Sequence, residues 1–237
     1  MPRVYVPLYM SEGDFAPSAG ANIVKVQSIT GAGTTLVLNG VGAGNAIFVV
    51  DSYIRNSHGS AEAVPTDSNG AFLTSIAPTP ITLGLDDLGV GIFHQLNVAG
   101  GTHTVTPQAN TLHRTTLVEV SGIALASAFD VSASASTSDF SGTSQVTGTT
   151  GVTAQANELV LTALVLSANL GVANVGLTDP IVNYITLQIF QDETTSMGMH
   201  HSYQVLAAIG AQSATENWTD TETHQYAQAC IAAFKGA

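Results

Sequence analysis

The stretch NIVKVQSITGAGTTLVLNGVGAGNAIFVV, residues 22–50, decides the fold. In its first eight residues Ile23, Lys25 and Gln27 alternate with Val24, Val26 and Ser28, the spacing at which a strand's side chains point to opposite faces. Gly31-Ala32-Gly33 turns this run into TTLVLNG, and Gly42-Ala43-Gly44-Asn45 leads on into AIFVVDSYI. AIFVV does not alternate. A continuous apolar run of that length between turn residues predicts a central strand covered on both faces.

The same rhythm continues outward. Asp67-Ser68-Asn69-Gly70 has the chemistry of a tight turn, because Gly and Asn tolerate positive φ. GAFLTSIA, GIFHQLNV, THTVTP, TLVEVSGI and FDVSASAST read as strands, with His103 and Val105 on the face opposite Thr102, Thr104 and Thr106. APTPITLGLDDLG, with two prolines and paired acids, reads as a loop. SGTSQVTGTTGVTAQAN reads as a loop or an exposed edge strand. ELVLTALVLS is the most apolar run and predicts a second central strand. NYITLQIFQ alternates. SMGMHHSYQVLAAI and HQYAQACIAAF also suit helices by their Ala content, yet their lengths and tyrosines favour strands. No exact internal repeat, heptad or linker stands out. The expectation is an all-β, antiparallel, jelly-roll-like sandwich of about eleven or twelve strands over residues 21–237, preceded by an arm over residues 1–20 that carries VYVPLY.

Composition agrees. The chain has 237 residues, 28 of them Thr, 20 Ser and 23 Gly. DEKR residues make up only 9%, against roughly 25% in an ordinary soluble domain. The basic residues Arg3, Lys25, Arg55, Arg114 and Lys235 are scattered, and the formal net charge is −12. Nucleic-acid binding needs clustered cations that displace counterions from phosphates, so DNA and RNA are not expected partners. The same argument disfavours anionic membrane surfaces. The N-terminus lacks the pattern of a signal peptide, and no segment approaches the roughly 20 apolar residues of a spanning helix.

Motifs for chemistry are sparse. There is no Gly-x-Ser-x-Gly elbow, and Cys230, the single cysteine, lies in an apolar run that predicts a buried, inert thiol. His58, His94, His103, His113, His200, His201 and His224 show no His-x-x-x-His spacing, and adjacent His200 and His201 would point to opposite faces of a strand, so no metal site is expected. Asp86-Asp87 and the Asp67 turn offer oxygens to a hard cation but read as turns. Asp192-Glu193 and Asp220-x-Glu222 are the nearest acid pairs for glycoside hydrolysis, in polar sequence where solvated acids are the default. No catalytic residue and no cofactor is assigned. The one ligand-contact candidate is Asn217-Trp218-Thr219-Asp220, where Trp218 could stack on a sugar with Asn217 and Asp220 as polar partners, or could instead fill an end of the core.

The order of several short motifs carries a resemblance. Gly44-Asn45 before AIFVV, Thr66-Asp67-Ser68-Asn69-Gly70, THTVTP, VEVSGI, Glu158-Leu159-Val160 and the terminal QACIAAFK occur in an order similar to that of a family of jelly-roll-like sandwich domains. Such domains recur in bacteriophage structural proteins and bacterial surface proteins. The resemblance covers residues from about 22 to 237. It implies a non-enzymatic building, decorating or adhesive module: a capsid decoration or cement protein, or a tail or fibre module. The partners would be other virion proteins and further copies of the chain, a trimer fitting a capsid site. The place would be the virion, assembled in the host cytoplasm. A carbohydrate- or receptor-binding module is the alternative.

Overall fold

The two runs without alternation, Ala46–Arg55 and Glu158–Ser167, are ten-residue strands buried along their whole length. Each lies in the middle of a sheet that is covered on both sides. The computed structural model describes residues 23–55, 62–83, 86–108, 112–167, 177–178, 181–192, 197–219 and 225–237. The arm expected over residues 1–20 lies outside the described residues.

The first half of the chain supplies β1 (Val24–Gly31), β2 (Leu36–Val41), β3 (Ala46–Arg55), β4 (Thr66–Asp67), β5 (Gly70–Ala71), β6 (Leu73–Ile76), β7 (Ile81–Leu83), β8 (Asp86–Gln95), β9 (Gly101–Thr106) and β10 (Leu112–Ser121). The second supplies β11 (Phe129–Phe140), β12 (Ser144–Val146), β13 (Glu158–Ser167), β14 (Leu177–Thr178), β15 (Ile185–Asp192), β16 (Met197–Val205), β17 (Thr215–Trp218) and β18 (Gln225–Lys235). Eleven of these eighteen strands have six residues or more. The other seven are pieces of two to four residues; β5 and β6 fall within GAFLTSIA, read as a strand in the sequence, while β4, β7, β12, β14 and β17 are too short for alternation to single out. The stretch read as a loop over APTPITLGLDDLG is a correction: Ile81–Leu83 pairs with β8, which itself starts at Asp86. The prolines end before Ile81, and Asp87 is not a solvated turn acid, since Thr82 Oγ1 donates to it at 3.2 Å.

Pairing is nested. β1 pairs with β10, β2 with β9 and β3 with β8; then β11 pairs with β18, β12 with β17 and β13 with β16, all antiparallel. A long hairpin ribbon rolled on itself gives this connectivity, that of a jelly roll. The larger sheets run β1-β10-β3-β8-β6, with β7 also on β8, and β11-β18-β13-β16-β15; the smaller run β2-β9-β4-β5 and β12-β17-β14. The molecule is therefore a four-layer stack in which two jelly rolls meet through their larger sheets.

The two halves correspond in detail. The Gly44 N–H donates to the Val98 carbonyl (3.0 Å) and the Val98 N–H to that of Asn45 (2.9 Å); the Asn157 N–H donates to Leu206 (2.9 Å) and the Leu206 N–H to Glu158 (2.8 Å). Gly44 has φ 85° and Asn157 φ 61°, the left-handed region that Gly and Asn tolerate. The register shift between Lys25 and Gln27 recurs between Phe129 and Ser132, and that between Thr74 and Ile76 recurs between Thr186 and Gln188. In the sequence the repeat survives only in fragments, such as Thr66-Asp67 and Phe72-Leu73-Thr74 against Thr178-Asp179 and Tyr184-Ile185-Thr186 at the same separation. These matches place Val50 opposite Ala163 in the alignment of halves, Asp51 with Leu164, Tyr53 with Leu166, Gly91 with His200, His113 with Ala227 and Thr115 with Ala229.

The main core lies between the larger sheets. Phe48, Val50, Leu88, Val90, Ile92 and Val118 from the first half meet Leu159, Leu161, Ala163, Met199, Cys230 and Phe234 from the second. Phe48 and Phe234 pack edge to face with centroids 4.6 Å apart. Each fully buried side chain of this size contributes roughly 1.5–3 kcal/mol relative to exposure. A second core, with Leu36, Leu38, Val105, Ile47, Val49 and Phe93, fills the first jelly roll. The second jelly roll is filled by two clusters, one around Val160, Tyr184 and Ile231 and one around Leu164, Leu166 and Trp218.

Candidate functional site

Asn217 is exposed, Trp218 is only 3% exposed, and Asp220 lies outside the described residues. The Trp218 ring packs with Leu164, Leu166, Leu177, Ala227 and Ala229, and its indole N–H donates to the Gly142 carbonyl at 2.8 Å. The indole thus fills an end of the core, the second of the two readings its sequence allowed, and presents no stacking platform. Strand β17 has the burial order exposed, buried, exposed, buried, which turns Glu216 and Trp218 inward and Thr215 and Asn217 outward. Asn217 lines a shallow depression of about 240 Å³ with Ile181, Val182, Ser213, Ala214 and Thr215.

The histidines are individual structural groups. His200 and His201 do point to opposite faces, as adjacent strand residues must. His201 lies between the two halves: Thr116 Oγ1 and Ser52 Oγ approach its ring nitrogens at 2.9 and 3.0 Å. Ser52 Oγ donates to the Leu164 carbonyl at 2.9 Å, so it accepts from Nε2–H, and Nδ1 accepts from Thr116. Burial, with His200 nearby, pushes His201 down to about 3, so the ring is neutral. This Ser–His contact is wholly buried and bridges the jelly rolls. His200 Nδ1 lies 2.5 Å from Glu216 Oε2 within the second roll. His103 donates from Nδ1 to Asp67 Oδ2 (2.6 Å) and from Nε2 to the Ala99 carbonyl (2.8 Å). Burial opposes its charge, but these two acceptors outweigh it and raise the pKa. His58 and His224 lie outside the described residues, as do Glu193, Glu222 and the side chain of Asp192. Among the described residues no three His, Cys, Asp or Glu side chains gather for a metal. Cys230 is buried in the main core, and burial raises its thiol pKa.

The densest cluster of ionisable groups went unread in the sequence. It fills one end of the first jelly roll. Asp51, Tyr53 and Arg55 project from alternate positions of β3 into the roll, while Val50 and Ile54 serve the main core. Glu62, 5% exposed, sits over Gly91 of β8, the residue directly opposite Asp51 in the β3–β8 pairing; a Cβ there would stand 2.9 Å from Glu62 Oε2, so the carboxyls of Asp51 and Glu62 meet on one face of the sheet. A Cβ on Gly89 would stand 2.2 Å from the Tyr53 ring. Thr115 Oγ1 donates to Asp51 Oδ1 at 2.8 Å, and Arg55 Nη2 lies 3.9 Å from Asp87 Oδ2 and over the Tyr53 ring. Among the described residues, Asp51 Oδ2, Tyr53 Oη, Arg55 Nε and Nη2 and both Glu62 oxygens are buried without a conventional donor–acceptor partner. Burial raises the pKa of Asp51, partly offset by Glu62, Thr115 and His113; burial and then the Asp51 charge raise that of Glu62 strongly. The signal was present as two period-two patterns: charges at 51, 53 and 55 behind AIFVV, and glycines at 89 and 91 on the partner strand.

No protein-family model matches the chain, and no curated protein matches it.

Proposed function

We propose that this chain is a non-enzymatic structural module of a bacteriophage particle, of the decoration, cement or tail-associated kind, acting through protein–protein contacts. The observation that carries the reading is the four-sheet stack: polar and ionisable side chains are consumed inside it, while its outer edge strand β1 exposes Val24 (55%) and Val26 (50%). Among the described residues β1 pairs on one side only, with β10. An extended segment of a neighbouring copy can add to such an edge through backbone hydrogen bonds, with apolar side chains alternating against Val24 and Val26. The arm sequence VYVPLY suits that role. Symmetric closure into a trimer would then tie copies together. Deleting residues 1–20 is expected to abolish oligomers and incorporation into particles while the far-ultraviolet β signature persists. Full-occupancy assembly of the truncated chain would refute the arm.

A receptor- or glycan-binding module is the second reading, favoured by the uncharged depression around Asn217. Here Asn217→Ala should lower glycan-array binding without changing the unfolding midpoint; an array blank for the wild type removes the reading.

A further inference from the structure

The two halves share one backbone plan, so their corresponding positions show what the fold itself needs. At the end of the roll where the first half places Asp51, Tyr53, His113 and Thr115, the second places Leu164, Leu166, Ala227 and Ala229. Those four belong to a closed apolar cluster with Trp218 and Leu177. Apolar packing therefore satisfies this location, and an ionisable cluster is not demanded by the jelly roll. Burying such groups without full pairing costs free energy. The first half also keeps Gly89 and Gly91 on β8, making room for the Tyr53 ring and the Glu62 carboxyl.

Two carboxyl groups of like charge cannot both be ionised in such a place without a compensating cation or proton. Arg55, the only buried cation among the described residues here, lies 3.9 Å from Asp87. The groups facing the pair are Tyr53 and Arg55 from β3 and His113 and Thr115 from β10, with Asp87 of β8 beside Tyr53 and Arg55. The second half has a buried acid too, but Glu216 there faces His200, a group of opposite sign when charged.

We propose that Asp51 and Glu62 share one proton inside the first jelly roll, and that its loss loosens that roll while leaving the second closed, so that the first half is a pH-set latch. The sign follows from linkage. The folded pair retains a proton that the unfolded chain, with ordinary carboxyls near 4, has already released. Stability conferred by the pair is therefore full in acid and falls as pH rises toward the raised folded value.

The test uses the full chain. Carbon-13 shifts of the side-chain carboxyls should show Asp51 and Glu62 titrating together, with the last proton leaving well above the ordinary range; separate titration of both below about pH 5 overturns the proposal. The thermal midpoint should fall by roughly 5 °C or more between about pH 5 and pH 8 in the wild type and less in Glu62→Gln. An equal fall in both proteins overturns it. In a Glu158→Gln background, which removes the separate titration of that strand's own acid, hydrogen exchange corrected for the intrinsic pH effect should rise across Ala46–Arg55 and stay level across residues 159–167 at the higher pH; equal loosening overturns the selectivity. If calcium chloride restores the wild type's midpoint at about pH 8 but not that of Glu62→Gln, the pair holds a metal ion and the proton assignment is wrong.

Discussion

Replacing Trp218 by alanine removes an indole that fills the interior between β13, β14 and β18. The loss should be about 3–5 kcal/mol of stability, read by denaturant unfolding, because a large buried ring leaves a cavity that its neighbours only partly close. A change confined to glycan binding, with stability intact, would contradict the buried placement. At Gly89, alanine is expected to destabilise by about 1–3 kcal/mol, since its Cβ would run into the Tyr53 ring. The usual small gain from replacing a flexible residue cannot apply where there is no room. Residue-scale features of this kind were only half legible beforehand. The inertness of Cys230 follows from its apolar neighbours, and the opposed directions of His200 and His201 follow from strand geometry. The meeting of Asp51 with Glu62 depends on a chain segment returning over β8, which no local pattern encodes.

Strands were legible where one face or both are apolar over six or more residues. AIFVV and ELVLTALVLS are central strands because apolar side chains dominate both of their faces, and the Ala-rich final run became β18, paired on one side with β11 and on the other with β13. Most short strands outside GAFLTSIA were lost because two to four residues have no measurable period. β4 is one of these, and its position depends on a side-chain clamp. The imidazole of His103 on β9 reaches Asp67 of β4 and the Ala99 carbonyl together. Both ring nitrogens face acceptors, so the charged ring suits the folded state, and its pKa is raised. Stability from this clamp should be full below the unfolded value near 6.5 and fade as pH rises through the folded one. Comparing His103→Ala with the wild type by unfolding at several pH values should show a gap that narrows toward alkaline pH.

Across the whole molecule the sandwich class followed from alternation, whereas the doubling did not. The halves keep hydrogen bonds, bulges and strand order but have exchanged most side chains, and fold is conserved by pattern more than by identity. Acidic groups have diverged with them. Burial and Asp130 push Glu158 in β13 up to about 7, although the Gln155 N–H and Lys235 draw it back. Its folded pKa is above the unfolded one, so raising the pH from about 4.5 to 7 should erode stability, and Glu158→Gln should flatten that part of the profile in calorimetry. The shared core between the larger sheets has one more consequence. A backbone break after Leu125, 58% exposed in the connection between the halves, would leave each fragment with a bare apolar sheet. Expressed singly, the fragments should aggregate; expressed together, they should find each other and rebuild the native protein, as a split reporter does.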